Sequence, residues 1–288
     1  MSTLRELKVR IGSVASSEKI TGAMKMISSA KMHKAETELN RIGPFRNQLQ
    51  SIMNNLVATD AEYTSELTEV RDVKTVAIAI FGSDDGLCGA YNMNLFKSLL
   101  VRINEFVHNG VKVVVIPVGK KMQKAVCKLD VKNVEVRKLD LLSKPNIDTV
   151  RSLTDNLREM FLKGEADKVE IISMEFISAG RQVLKNSQLL PVSPEAFGTE
   201  TASNKMYIFE PDASKIYNTV LPLYILSMMQ EVFCQNSASE QAARIMAMQS
   251  ANDNAGKLLE SLKLEFNKLR QQSITTELLD ILGGQVEK

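Results

Sequence analysis

The stretch "ASEQAARIMAMQSANDNAGKLLESLKLEFNKL", residues 238–269, places a small or apolar residue every three or four positions and contains no proline. Ala238, Ala242, Ile245, Ala251, Ala255, Leu258, Leu262, Phe266 and Leu269 keep that step, which is helical spacing along a narrow seam. The pattern begins earlier, with Ile225, Met228 and Val232, and Pro222 fits a first helical turn, where its missing N–H is no loss. One helix from about 218 to 282 is therefore predicted. At 1.5 Å per residue it would be roughly 100 Å long, too long to fold back within a small globule. Ser237 with Glu240 also carries the signature of a helix start, so two shorter helices are the alternative.

A long exposed seam needs a partner, and the other end of the chain offers one. Thr3 and Glu6 form a candidate capping box, and Leu4, Leu7, Ile11 and Val14 then step by three, four and three. The seam is read onward through Ile20, Met24, Ile27, Ala35, Leu39 and Ile42. Small residues (Ala15, Ser16, Gly22, Ala23, Ser28, Ala30) crowd the middle and would let a second helix approach closely. Gly43-Pro44 is expected to kink or break the helix, with "FRNQLQSIMNNLVA" resuming it to about residue 57. The two ends are expected to bury their seams on each other as an antiparallel coiled coil, an ordinary helical bundle being the alternative.

Between them the rhythm changes. "VKTVAIAI" (73–80) and "VKVVVIPVG" (111–119) are short β-branched runs suited to buried strands. "NVEVRKL", "KVEIISMEFIS" and "RQVLKNSQLLPV" are further candidate strands, while "NLFKSLLVRINEFVHNG" and "DTVRSLTDNLREMFLKG" read as helices. That alternation predicts an α/β sheet layered by helices. The fold class is thus α/β plus long helices: an antiparallel coiled coil of the N- and C-terminal helices with a central Rossmann-like domain. The divisions are 1–57, 72–195 and 212–286, with 59–72 a polar linker, 193–211 a connector and "MYIFEPD" (206–212) one more extended piece.

Bulk composition excludes several classes. A net charge of +2 over 288 residues gives no overall pull toward nucleic acid or lipid. The first 46 residues hold nine Lys/Arg against four Glu, but these lie all around the helix without aromatic partners for base stacking, so an acid-facing or solvated surface is the reading. No apolar run reaches transmembrane length, and the N-terminus has neither a secretory nor a transit signal. Cys88, Cys127 and Cys234 share no CxxC spacing and have only His33 and His108 to help, so no metal site is expected. Fourteen Met, with no Trp, suit long helices; the Met stripe (Met24, Met26, Met32, Met228, Met229, Met246, Met248) reads as core or as a soft sliding surface.

The chemistry-like stretch is "SDDGLCGAYNMN", 83–94, directly after an apolar strand. It matches neither GxxxxGK[ST] nor GxGxxG, and Asp84-Asp85 would repel a phosphate where backbone amides should attract it. Cys88 has no histidine nearby in sequence to activate it. A turn whose glycines permit positive φ is the expected role. No cofactor and no catalytic group are assigned.

Three blocks carry a resemblance: "ITGAMKMISSAKMHKA" (20–35), "SDDGLCGAYNMN" (83–94) and "SASEQAARIMAMQSANDNAGKLLESLKLEFNKLRQQSITTELLDILGGQ" (237–285). The chain resembles the γ-subunit family of F-type ATP synthases over essentially its whole length. It departs from the family pattern at Asp85, where arginine is usual, at Ala90, where glycine is usual, and at Gly283-Gly284, where Gly-Ala is usual. The resemblance implies a non-catalytic central-stalk rotor, one copy per complex. Its partners would be a hexameric head of α and β subunits, an ε subunit and a membrane c ring, with no nucleic acid. It implies a rotor–head coupling interface at Met24, Lys25, Arg244, Gln271, Thr275 and Glu277, the first two facing carboxylate-rich loops of the β subunits. It makes Ser83, Asp84, Gly86, Cys88, Gly89 and Tyr91 a structural and interface loop, and sets the apolar "LLDILGG" end in a bearing. The expected location is peripheral, on the cytoplasmic side of a bacterial inner membrane. Two rivals remain from other classes: a nucleotide-binding enzyme built on residues 70–195, and a coiled-coil scaffold with salt-sensitive DNA affinity.

Overall fold

A computed structural model describes residues 3–57, 65–193, 197, 210 and 212–284. A long helix α1 (Leu4–Val57) comes first and a longer one, α5 (Ala213–Gly284), comes last. Between them run β1 (Thr75–Ile80), α2 (Tyr91–His108), β2 (Lys112–Pro117), α3 (Lys120–Val126), β3 (Val134–Val136), α4 (Ile147–Leu162), β4 (Lys168–Ser178) and β5 (Arg181–Leu190). The sheet order is β3-β2-β1-β4-β5, parallel except for the last strand, which pairs antiparallel with β4.

Alternation along each strand builds the two sides of the sheet. Val76, Ile78 and Ile80 of β1, with Val113 and Val115 of β2, point to the side covered by α2 and α3, where Leu95, Leu99, Ile103 and Met122 pack on them. Ala77, Ala79, Val114 and Ile116 point to the other side. There α4 (Leu153, Leu157, Phe161), the end of α1 (Leu49, Met53, Leu56) and the start of α5 (Leu221, Ile225, Met229) complete a second core. Apolar residues on both sides make β1 and β2, the strands inside the parallel part, nearly continuous hydrophobic runs, the expected mark of a sheet covered twice. Arg102 of α2 is tied to the buried Glu170 of β4 by two bonds of 2.7 Å, and Lys168 adds a third contact at 2.8 Å.

The chain divides into two compact units, residues 1–28 with 244–288 and residues 29–243, and both long helices contribute to each. In the first unit, α1 opens with the reciprocal cap read from sequence: Thr3 N–H donates to Glu6 and Glu6 N–H to Thr3 Oγ1. Thr21 Oγ1 lies 3.2 Å from Asn252 Oδ1. A Cβ on Gly22 would meet Asn252 at 3.3 Å, and one on Gly256 would meet Glu18 at 3.5 Å. Moving four residues up α1 moves four down α5, so the helices are antiparallel, and polar side chains of each occupy the space beside a glycine of the other.

Several expectations need correction. Gly43-Pro44 does not break α1, which passes through Pro44 as one 54-residue helix. Three of the residues that follow, Leu49, Met53 and Leu56, are anchored in the core, and tertiary burial outweighs one missing N–H. Pro222 lies inside α5, ten residues into it, rather than in its first turn. Ser237 and Glu240 start no new helix, so the single helix expected over 218–282 holds and its two-helix alternative does not.

The seam also differs from its apolar reading. Ile20, Ile27 and Leu258 are 59%, 56% and 46% exposed. Steps of four and three from Leu7 instead lead through Ile11, Val14, Glu18, Thr21, Lys25 and Ser28 to Met32, Ala35, Leu39 and Ile42, all buried or half-buried. In α5 the matching steps run Ile245, Met248, Asn252, Ala255, Leu259, Leu262. This is a strict seven-residue repeat whose middle is small and polar, so following apolar residues alone drifts off it. The short helix α3 had no sequence expectation, the "NVEVRKL" strand is only three residues long, and "MYIFEPD" lies outside the described residues apart from Glu210 and Asp212.

Candidate functional site

In an open α/β sheet a ligand binds beyond the carboxyl ends of the strands, where the strand order reverses. Here the reversal is between β1 and β4, and the stretch following β1 is 83–94. The structure fills that place with the chain itself. Residues 233–243 of α5 lie over the ends of β1 and β4: Phe233 packs edge-on against Phe81, with ring centroids 4.8 Å apart. Tyr91 O–H donates to the side-chain oxygen of Asn236 at 2.6 Å, and Met174 N–H donates to the same oxygen at 3.4 Å. Ser239 Oγ donates to the Met174 carbonyl at 3.4 Å, and Ser143 Oγ to Glu240 at 3.4 Å.

The loop's own groups are used up in holding its shape. Asp84 accepts backbone N–H bonds from Lys120, the first residue of α3, and from Ser143, at 3.1 to 3.2 Å. α3 has no side-chain cap of its own at Gly119, so this carboxylate supplies the negative charge its amino end favours. Those amides, the kind a phosphate would need, are thereby occupied. Asn92 closes the loop from α2, accepting from Ser83 N–H at 3.0 Å and donating to Ser83 Oγ at 2.7 Å and to Cys88 Sγ at 3.3 Å. Ser83 and Cys88 are buried, and Tyr91 is the first residue of α2 and also buried. Gly89 has φ +60, as the turn reading expects, whereas Gly86 is not in the left-handed region and its neighbour Leu87 is, at φ +63. Gly82 is required by contact: a Cβ there would sit 2.5 Å from Met122 Cβ.

The six coupling candidates all fall in the first unit. Met24 and Lys25 are half-buried, and Arg244 is 5% exposed. Gln271, Thr275 and Glu277 are exposed, with Thr275 Oγ1 donating back to the Gln271 carbonyl and Ser273 Oγ to Glu277. On the antiparallel register Leu4, the first residue of α1, stands opposite residue 270. Residues 271–284 therefore continue with no α1 beside them, and on that stretch Ile274, Leu278, Leu279 and Ile281 are 50 to 63% exposed. The structure thus brings the loop residues together with α5, and it spreads the coupling candidates along the long helices, Met24 and Lys25 on α1, Arg244 on α5, and Gln271, Thr275 and Glu277 on the exposed end of α5, rather than in a pocket.

Sequence reasoning missed Asn236, Asn92 and Ser143 as partners of the loop, and Ser239 as a partner of β4. The available signal for Asn236 and Ser239 is the polar run "QNSASEQ", 235–241, inside an otherwise apolar stretch of α5, where Ser237 and Glu240 also carry the signature of a helix start. Among the described residues no three His, Cys, Asp or Glu side chains come together as a metal site, and no helix is long and apolar enough to cross a membrane.

A family model described as ATP synthase matches residues 3–286. The ATP synthase gamma chain of Parabacteroides distasonis is 40% identical over 289 residues, covering 99% of this chain and 98% of that one. The corresponding chain of Bacteroides thetaiotaomicron is 38% identical over 301 residues, covering all of both. Among solved structures, a chain of the Euglena gracilis mitochondrial ATP synthase (OSCP/F1/c-ring, rotational state 3) has a TM-score of 0.67 at 19% identity, covering 98% of this chain and 93% of that one. A chain of the Tetrahymena thermophila mitochondrial ATP synthase central stalk and c-ring has a TM-score of 0.60 at 23% identity, covering 81% and 99%.

Proposed function

The chain belongs to the ATP synthase gamma chain family, and from that membership we propose that it is the central-stalk rotor of an F-type ATP synthase. The observation that carries the reading is the unpartnered end of α5. Ile274, Leu278, Leu279 and Ile281 would stand in water on a single helix, and such a surface calls for a sleeve. Val9, Ile20, Met26, Ile27 and Leu264 are likewise exposed on the first unit. A head of three α and three β subunits provides that sleeve and holds every nucleotide site. The α/β domain rests on the c ring, with the ε subunit alongside.

The work done by this chain is mechanical. Its two helices differ in sequence and length, so the shaft presents different side chains at different angles, and turning it drives each β subunit through different conformations in succession. Gln271, Thr275 and Glu277, exposed on α5, make charge-assisted bonds to the head at some angles and lose them at others, which sets preferred dwell positions. Met24 and Lys25 meet the β-subunit loops from the edge of the seam, and Arg244 holds α5 where the coiled coil begins. Segments 1–57 and 212–286 serve as shaft and 72–195 as base; the 83–91 loop is a structural seat within that base. The complex transports ions and the chain is peripheral to its membrane, on the cytoplasmic face of a bacterial inner membrane.

The test is reconstitution. Purified α and β subunits should hydrolyse ATP substantially faster with this chain than without it, and the chain alone should be inert. Equal hydrolysis with and without the chain would overturn the proposal, as would tight nucleotide binding by the chain in isolation.

A further inference from the structure

Apolar contacts alone leave a helix free to settle at more than one angle about its own axis, because ridges fit neighbouring grooves almost equally well. α5 crosses the sheet ends on a surface that is largely apolar, with Phe81 and Phe233 buried there. Directional bonds in that setting choose one angle. Asn236 is fully buried, Tyr91 is 3% exposed, and they are joined by a bond of 2.6 Å. Tyr91 O–H also lies 3.2 Å from the Asn236 backbone carbonyl, so the phenol reads both the side chain and the helix backbone at one residue.

The partner on the sheet is equally specific. β1 ends its ladder on β4 with Phe81 N–H donating to the Ile172 carbonyl. By the alternation of a strand, the next backbone groups facing that side belong to Met174. Its N–H goes to Asn236 and its carbonyl receives Ser239 Oγ. Two side chains of α5 thus continue the ladder that β1 abandons. Turning α5 by one residue, or sliding it by one turn, would strip partners from Tyr91 O–H and from both Met174 backbone groups at once. Buried polar groups resist that loss, so the arrangement specifies a single setting.

We propose that Tyr91 and Asn236 form the joint that fixes the rotational setting of α5 on the α/β domain, so that torque on α5 reaches the domain without angular slack. This inference rests on the rotor reading. Both act as positioning residues. The test uses the assembled complex with its head immobilised and stalled by a non-hydrolysable ATP analogue, and a bead attached through Cys127, which is exposed on the domain. Thermal fluctuation of the bead angle is recorded for the parent, Tyr91→Phe, Asn236→Leu and the double variant. Each single variant should widen the angular distribution by roughly twofold, the scale expected when a buried bond holding one orientation is lost, and the double variant should be no wider than the singles.

An unchanged width in Tyr91→Phe, which keeps the ring and only removes the hydroxyl, would overturn the joint, even if that variant melts at lower temperature. Additive widening in the double variant would overturn the claim that the two residues act as one joint. A parent complex whose bead does not turn when ATP replaces the analogue would instead overturn the rotor reading itself, so the two failures are distinguishable.

Discussion

Asp84 shows how one side chain decides what a whole loop can do. By accepting the N–H groups of Lys120 and Ser143 it takes for itself the amides that a bound phosphate would require, and so pins the mouth of the sheet shut. Gly82 acts beside it by size alone. Gly82→Ala should destabilise the protein by about 1–3 kcal/mol, because the new methyl must displace Met122 in a filled core; a lowered denaturant midpoint checks this. The thiols separate by burial. Burial pushes Cys234 up to about 12, the carboxylates of Glu38 and Glu231 adding to it, and Cys88 is buried under Asn92, while Cys127 is exposed. A maleimide at pH 8 should therefore label the native chain once, at Cys127, and mass mapping of a modified Cys234 would contradict the burial described. That Asp84 and Asp85 put negative charge at this turn is legible in the sequence. The identity of the amides Asp84 holds is not, because Ser143 lies 59 residues away and only the fold brings it there.

At the scale of elements, the long helices follow from periodicity and the strands from β-branched runs, but two features needed coordinates. The polar middle of the α1 seam, Glu18, Thr21, Lys25 and Ser28, hides its seven-residue repeat from any reading that tracks apolar residues, and Gly22 and Gly256 leave the room that Asn252 and Glu18 side chains take up there. Pro44 was overestimated as a breaker for the reason already seen: the core holds the helix on its far side. Pro44→Ala should restore an intrahelical bond at an exposed position and stabilise the chain by roughly 1–3 kcal/mol, read as a raised melting temperature. The tie between α2 and β4 predicts a pH dependence. Burial alone would push Glu170 up, but hydrogen bonds from Arg102 and Lys168 outweigh it and hold the carboxyl below its ordinary range. A carboxylate depressed in the folded state contributes stability above its unfolded pKa and loses it as pH falls through the folded value. Glu170→Gln should therefore lower stability at neutral pH, and its deficit against the parent should shrink as pH falls below the ordinary carboxylate range. A deficit that stays constant down to acid pH would contradict the pairing.

Across the whole molecule, the logic is that of an open α/β sheet whose usual ligand place is taken by the chain's own helix. The sheet keeps the doubly covered order β3-β2-β1-β4 while α5 occupies the switch point, which turns a pocket into an attachment. The architecture was legible in the sequence because each part has its own period, and the family because three blocks of residues stand in order along the chain. The attachment was not legible, since a polar run inside a helix carries no mark of what it faces. The most direct measurement places the immobilised α and β head, this chain and a bead on Cys127 under a microscope with ATP. Rotation of the bead in one sense, stopping when ATP is withdrawn, is the result expected of a rotor; steady ATP hydrolysis with the bead motionless would contradict it.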